Sequence, residues 1–346
     1  MGPLLSRLSI SSGLHAQLVL TRQGREDVSV EDFLRGAPDP PEERSVRNAQ
    51  QLLREIGALT ATTARDEEEK AAEAPQHGLT ALGVHLCSLP LSPQLAKMVL
   101  WANLLGVGGA ALAVVSGLQY REPFVSLGDA QRSLSLAQAN KAVRAAKLAL
   151  SAPERSDHVA LWAASKGFEA ARSKGGDAAR RFCEANCLSF RQMQTLRQTS
   201  AKLRGELRGC TLWDEGADRN GEDTSLLLAA VCAGLFPNLA LRRGGRGKFQ
   251  VNGGRLEAVP HPSSVASFNG KGADWWEGTG NGAQDVEGEG GRSNVWVCFN
   301  ELSQLEERQV AKAATEDMLG LQEEIPVAAM NKLCQQMLSQ VPVLGG

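Results

Sequence analysis

Residues 78–118 read GLTALGVHLCSLPLSPQLAKMVLWANLLGVGGAALAVVSGL, and no other part of the chain is as apolar. Leu79, Leu82, Val84, Leu86 and Leu89 supply apolar contacts, and Pro90 and Pro93 break the chain. From Met98 to Leu118 there follow 21 residues without a charge. A run of about 20 apolar residues is long enough to cross a bilayer, so a membrane span over 98–118 is one reading. Gly106, Gly108, Gly109 and Gly117 favour another. A Gly-Val-Gly-Gly cluster marks a turn, and it divides the run into two helices of about 10 residues, a length suited to burial in a protein core.

The sequence on either side extends the helical reading. Val30, Phe33 and Leu34 recur at helical spacing, and Pro38, Pro40 and Pro41 end that segment. A second helix begins near Glu42, with Val46, Ala49, Leu52, Leu53 and Ile56 on one face and Gly57 at its end. Residues 129–150 are rich in Ala, Gln and Lys and predict a helix. Ser156-Asp157-His158 opens another, reaching about Ala171, with Ser156 or Asp157 as its N-cap. Asp157 and His158 are adjacent, so on a helix they do not face each other as an acid–base pair would. Residues 178–208 read as one further helical run, in which Cys183 and Cys187 share a face, and Ser225 to Leu235 as a compact apolar helix.

After Pro237 the texture changes. Strand-sized pieces at Leu239–Leu241, Lys248–Val251, Leu256–Val259 and Val295–Phe299, with Gln309–Ala314 as a further candidate, alternate with glycine-rich turns. Together they predict a small β-barrel, so the fold class is multidomain α+β, mostly helical.

The net charge of −2 is unevenly placed. Residues 60–78, 211–225 and 272–293 hold 15 acidic and 4 basic residues, which leaves the rest of the chain at +9. A basic body behind acidic loops suggests a polyanionic partner. Residues 241–271 concentrate that charge, with Arg242, Arg243, Arg246, Lys248, Arg255 and Lys271 against Glu257 alone. The seven cysteines are scattered, which together with the absence of a clear secretory signal fits a reducing, intracellular compartment, nucleus or cytoplasm.

Several of these words resemble one family. The pattern LTxLGxxLxxLPLxPxxxKMxLWxxLLG, the Ser156-Asp157-His158 start, FCEANCLSFRQMQTLRQ and FPNLA with His261-Pro262-Ser263-Ser264-Val265 are similar to the region that follows the motor in DEAH/RHA-family RNA helicases. The resemblance covers most of residues 14–317. It implies a winged-helix-like unit over 1–77, incomplete at its N-terminus and with an acidic wing insertion at 60–78. A helical ratchet (helicase-associated) domain over 78–210 and an acidic linker over 211–225 follow. It implies an OB-fold over 226–320, with a disordered acidic, glycine-rich insertion at 272–293. Residues 321–346 remain as a C-terminal helical tail.

The function it implies is single-stranded RNA binding, with Arg242, Arg243, Arg246, Lys248, His261, Ser263, Ser264 and Lys271 as candidate contacts. Helicase motor domains in trans, or a G-patch-type protein, are the implied protein partners. The motor itself is not written in this sequence. No G-x-x-x-x-G-K-[ST] string occurs, and Gly244-Gly245-Arg246-Gly247-Lys248 has neither the spacing nor the hydroxyl. No catalytic residue and no metal ligand set is identified, and no cofactor is expected in the chain. ATP and Mg²⁺ enter only if a motor is supplied elsewhere, and the chain alone is expected to have no ATPase activity. A protein-docking scaffold stays open as an alternative, because Glu184, Cys187 and Ser165 stand where the family carries aromatics.

Overall fold

The computed structural model describes residues 30–37, 40–60, 78–120, 122–125, 136–242, 248–251, 254–261, 263–267, 295–305 and 308–315. Ten helices lie among them. They are α1 (Val30–Arg35), α2 (Glu43–Glu55), α3 (Ala81–Cys87), α4 (Pro93–Leu105), α5 (Gly108–Gln119), α6 (Leu136–Leu150), α7 (Asp157–Arg172), α8 (Gly176–Ala185), α9 (Phe190–Gly209) and α10 (Thr224–Leu235). Five strands follow: β1 (Leu239–Arg242), β2 (Phe249–Val251), β3 (Leu256–Pro260), β4 (Val295–Leu305) and β5 (Arg308–Thr315). The expected wing insertion, the glycine-rich insertion and the C-terminal tail lie outside the described residues, apart from Thr60 and Gly78.

The uncharged run is two helices, not one. Gly106 ends α4 in the left-handed conformation, with φ of 76°, which glycine adopts without steric cost. The 13 residues of α4 and 12 of α5 each reach under about 20 Å at 1.5 Å per residue, short of a hydrocarbon core of about 30 Å. Among the described residues no helix is long and apolar enough to cross a membrane, which corrects the spanning alternative over 98–118. Both helices are instead buried on nearly every side, and with α10 they form the largest core.

The segment expected as an acidic linker holds that helix break in place. Asn220 Nδ2 donates to Leu105 O at 2.8 Å, Asn220 N–H donates to Gly106 O at 2.7 Å, and an Arg219 guanidinium nitrogen donates to Leu104 O at 3.1 Å. Asp218 accepts from Gly109 N–H at the start of α5. The C-terminal carbonyls of α4 and an N-terminal amide of α5, groups a helix cannot satisfy internally, thus find partners in one loop.

The single run expected over 178–208 is also broken. α8 stops at Ala185, Cys187 takes a positive φ of 53°, and Ser189 caps α9 by accepting from Gln192 N–H. Leu188 bridges to Phe124 in this gap. Cys183 therefore lies on α8 and Cys187 beyond it, so the two do not share a helix face. α7, α8 and α9 enclose a second core around Phe168, Met193 and Leu196.

The strands form a closed barrel in the order β1-β2-β3-β5-β4, with β3 and β5 parallel and the other pairs antiparallel. Ala240, Phe249, Val251, Ala258, Val297 and Phe299 fill its interior. The coarse expectation of a mostly helical protein with a small barrel is what the chain adopts. On β4, Val297, Cys298 and Phe299 are buried, whereas Trp296 lies on the outer face and is exposed.

α10 leads directly into β1 and lies close against α4. A Cβ added to Gly234 would sit 2.3 Å from Met98 Cβ and 2.6 Å from its Cα. Gly234→Ala is therefore expected to destabilise the protein by about 1–3 kcal/mol through overpacking, seen as a lower urea midpoint at unchanged slope.

Candidate nucleic-acid interface

The candidate residues on the barrel divide by where their side chains go. Arg242 follows Ala240 on the inward register of β1 and is only 7% exposed. Its guanidinium lies over the Phe249 ring, 5.2 Å from the centroid, and burial pushes its pKa down. Lys248 is exposed and pairs with Glu257 at 2.8 Å. An exposed pair of this kind is worth roughly 0–1 kcal/mol, so Lys248 can exchange Glu257 for a phosphate at little cost. Arg243, Arg246 and Lys271 lie outside the described residues.

His261 and Ser263 bond to each other. Ser263 N–H donates to His261 Nδ1 at 3.2 Å, and Ser263 Oγ lies 2.8 Å from the same nitrogen. Accepting the backbone N–H makes Nδ1 an acceptor, so in the neutral ring the proton is on Nε2. Ser264 points the other way, into the protein, and is 4% exposed. Its hydroxyl donates to Asp157 Oδ2 at 2.5 Å and accepts from Ala266 N–H at 3.1 Å.

Asp157 is one of the points at which barrel and helices meet. Ser156 caps α7, its Oγ accepting from His158 N–H at 3.2 Å and from Val159 N–H at 3.5 Å. Asp157 has a different task. Its Oδ1 accepts from Val265 N–H at 3.2 Å and from Lys147 Nζ at 3.3 Å. Lys147, on α6, is 3% exposed. It also donates to Ser263 O at 2.7 Å, pairs with Glu122 and sits 5.1 Å from the centre of the Phe124 ring. Burial alone would lower the lysine pKa, but Asp157 and Glu122 outweigh it and the net shift is upward. One buried ammonium thereby gathers the Glu122 carboxylate, the Phe124 ring, the Asp157 carboxylate and the Ser263 carbonyl, four groups from three segments.

His158 takes no part in this cluster. It is 2% exposed, its Nδ1 has no hydrogen-bond partner among the described residues, and burial lowers its pKa to about 4 against the opposing charge of Asp157. It is a neutral core residue at physiological pH. Burial likewise raises the Cys183 thiol to about 11, with Glu184 adding to the shift. Among the described residues no group of three or more His, Cys, Asp or Glu side chains is arranged to hold a metal ion.

The basic helices are largely engaged within the protein. Arg180 stacks on Phe190 at 4.6 Å, Arg204 on Trp213 at 5.0 Å and Lys166 on Trp162 at 5.1 Å, while Arg172 and Arg197 pair with Glu169. In the sequence, residues 241–271 carry six basic residues against one acid.

Residues 92–161, from the start of α4 into α7, match the ratchet-like helicase associated domain (HA2). Lys147 and Asp157 fall inside that match. The chain is homologous to the helicase-associated region of DExH/DEAH RNA helicases. It is 33% identical over 68% of its length to the Arabidopsis thaliana DExH-box ATP-dependent RNA helicase DExH1, of which it covers 22%. It is 30% identical over 61% of its length to the Xenopus laevis ATP-dependent RNA helicase dhx29, of which it covers 15%. With the Rattus norvegicus ATP-dependent DNA/RNA helicase DHX36 it shares 29% identity over 62% of its length, and it covers 20% of that protein. The chain thus spans between 14% and 22% of the length of such curated relatives. The Ser263-Ser264 pair, expected as ligand contacts, instead bonds Lys147 and Asp157 of the matched region. Those bonds join residues more than 100 positions apart, so local pattern gave no sign of them.

Two expectations separate capping from bridging. Ser156→Ala should cost about 1 kcal/mol, the usual value of an N-cap. Asp157→Ala should cost about 3–5 kcal/mol, because it strips one carboxylate from a buried ammonium and leaves Ser264 and Val265 without their acceptor. Denaturant melts of the two variants measure the difference, and equal losses would return Asp157 to a capping role.

His158 predicts a pH dependence. It titrates near 4 in the folded protein and near 6.5 when unfolded, so the unfolded chain takes up the proton first on acidification. Its contribution to stability is full above pH 6.5 and is lost between 6.5 and 4, by about 3 kcal/mol in all. Urea midpoints across that window should fall less steeply in His158→Gln than in the parent.

Proposed function

We propose that this chain is a single-stranded RNA-binding module of the DExH/DEAH helicase type, gripping the strand at the basic edge of its barrel. The observation that carries the reading is the barrel itself. Its strand order, β1-β2-β3-β5-β4 with closure of β4 onto β1, is the arrangement expected of an OB-fold, and its first hairpin holds Arg243, Arg246 and Lys248 among glycines. Single-strand binders of that fold combine a cationic groove with stacking groups. The similarity to proteins named as RNA helicases supports the same ligand class. The reading takes α1 and α2 as part of a winged-helix unit.

In this account Lys248, Arg243 and Arg246 neutralise phosphates, and His261 and Ser263 lie at the mouth of the site. Arg242 and Ser264 hold the barrel together and onto the helices. Residues 78–210 act as the ratchet that keeps the barrel in register with motor domains. ATP and Mg²⁺ act in those motor domains, supplied in trans or within a longer protein, and a G-patch-type protein is the regulatory partner that fits.

The test is a salt titration of binding to a single strand of about 12 nucleotides, within the span one such fold covers. Removing Arg243, Arg246 and Lys248 together by substitution with Ala should weaken binding and reduce the log–log salt slope by about 2, at roughly 0.7 per lost phosphate contact. Unchanged affinity and slope would remove the site from this hairpin.

A further inference from the structure

A second feature of the barrel lies away from the basic hairpin. Between α2 and the outer face of β1 and β4 is a cleft of about 600 Å³. α2 contributes Asn48, Gln51, Leu52 and Glu55, a spacing that places all four on one helical face. The barrel contributes Leu239 from β1, Trp296 from β4 and Arg255 from the approach to β3. Trp296 is 44% exposed, although it lies on a strand whose next three residues are buried. The register explains its direction. Trp296 is opposite Leu241, which is opposite Gln250, and this row is the outer one, alternating with the Val297–Ala240–Val251 row inside.

We propose that this cleft is a nucleobase site, in which the Trp296 indole stacks on one base of a bound single strand. The proposal rests on the single-strand reading above and adds to it a place where a base, not a phosphate, is held. The chemistry of the lining selects that occupant. Arg255 and Glu55 bring opposite charges, so the cleft has no excess of positive charge to attract a phosphate. A neutral planar ring gains from the indole face and from the apolar floor made by Leu52 and Leu239. The two amides supply edge chemistry. Gln51 Nε2 donates to Glu55 Oε1 at 2.9 Å, which fixes the amide and presents its carbonyl oxygen as an acceptor. Asn48 is exposed and makes no side-chain hydrogen bond among the described residues, so both its donor and acceptor are available to a base edge.

Position favours a strand over a peptide as the occupant. Leu239, in the cleft, and Arg242, where the basic hairpin begins, are three residues apart on β1. At about 3.3 Å per strand residue this is roughly 10 Å, one or two nucleotides of an extended chain. A single strand with a phosphate at Lys248, just beyond the Arg242 end of β1, can therefore reach the cleft with its next base or the one after.

The experiment compares the full chain with Trp296→Ala and Trp296→Phe, using fluorescence anisotropy on a short single-stranded RNA and on an abasic strand of the same length. Trp296→Ala should lose about tenfold in affinity for the RNA, the order expected for one stacked base. The salt slope should not change, because no phosphate contact is lost. Trp296→Phe should recover most of the affinity, and the abasic strand should bind the parent and Trp296→Ala alike. Trp296 is exposed, so melting curves of the variants should match the parent. An unchanged affinity in Trp296→Ala, with the parent binding RNA normally, would overturn the base site and leave the hairpin reading intact. A loss that Trp296→Phe fails to restore, or one matched by a lower melting point, would assign the residue to packing and likewise overturn the proposal. A parent chain that binds no single strand removes both readings together.

Discussion

A primary ammonium placed where water cannot reach it must be surrounded by acceptors, and Lys147 imposes that condition on the middle of this protein. Its partners are a carboxylate before α6, a carboxylate on the first turn of α7 and a backbone carbonyl of the turn after β3. None of these can move without leaving charge unpaired in a medium where that costs several kcal/mol. The helix α7 is oriented by the same contact that seats the barrel. That is why Asp157 differs from an ordinary first-turn acid: its oxygens are aimed across an interface and not back along their own helix.

The same logic recurs at the α4–α5 break, where the groups to be satisfied are neutral backbone ones. There the unsatisfied carbonyls of one helix end and an amide of the next are answered by Arg219, Asn220 and Asp218. The acidic composition of residues 211–223 reads locally as a solvated spacer. In the fold it is a fitted cover for a polar seam in an otherwise apolar core, which is the condition for burying a helix break at all.

What could be read from the sequence follows from how local each cause is. The glycine cluster that divides the apolar run, the Ser156 cap and the short strands before Pro260 all depend on residues within a few positions of one another. The break at Cys187 does not. It is held by the pairing of Leu188 with Phe124, which helical periodicity over 178–208 cannot foresee. On the barrel the basic hairpin was legible as composition. The inward turn of Arg242 onto Phe249 was not, since it depends on strand register. Ser264 carries the clearest case: a hydroxyl in a basic, glycine-rich neighbourhood suggests ligand binding, and only its partner 107 positions away, Asp157, gives it a structural role. Trp296 was hidden for a similar reason, because α2 lies some 240 positions earlier in the chain.

The close approach of α10 to α4 has a mechanical consequence. With no side chain between Gly234 and Met98, the two helices mesh backbone to side chain. Gln94 of α4 donates to the carbonyl of Leu235 at the end of α10. Only Phe236 to Asn238 separate that end from β1, and Asn238 is itself bonded to Phe299 of β4. Tension applied at the first barrel hairpin therefore finds no slack to take up. It passes through β1 into α10 and on to α4 as a torque on the helical body, so the barrel works as the handle of a stiff lever and not as a bead on a string.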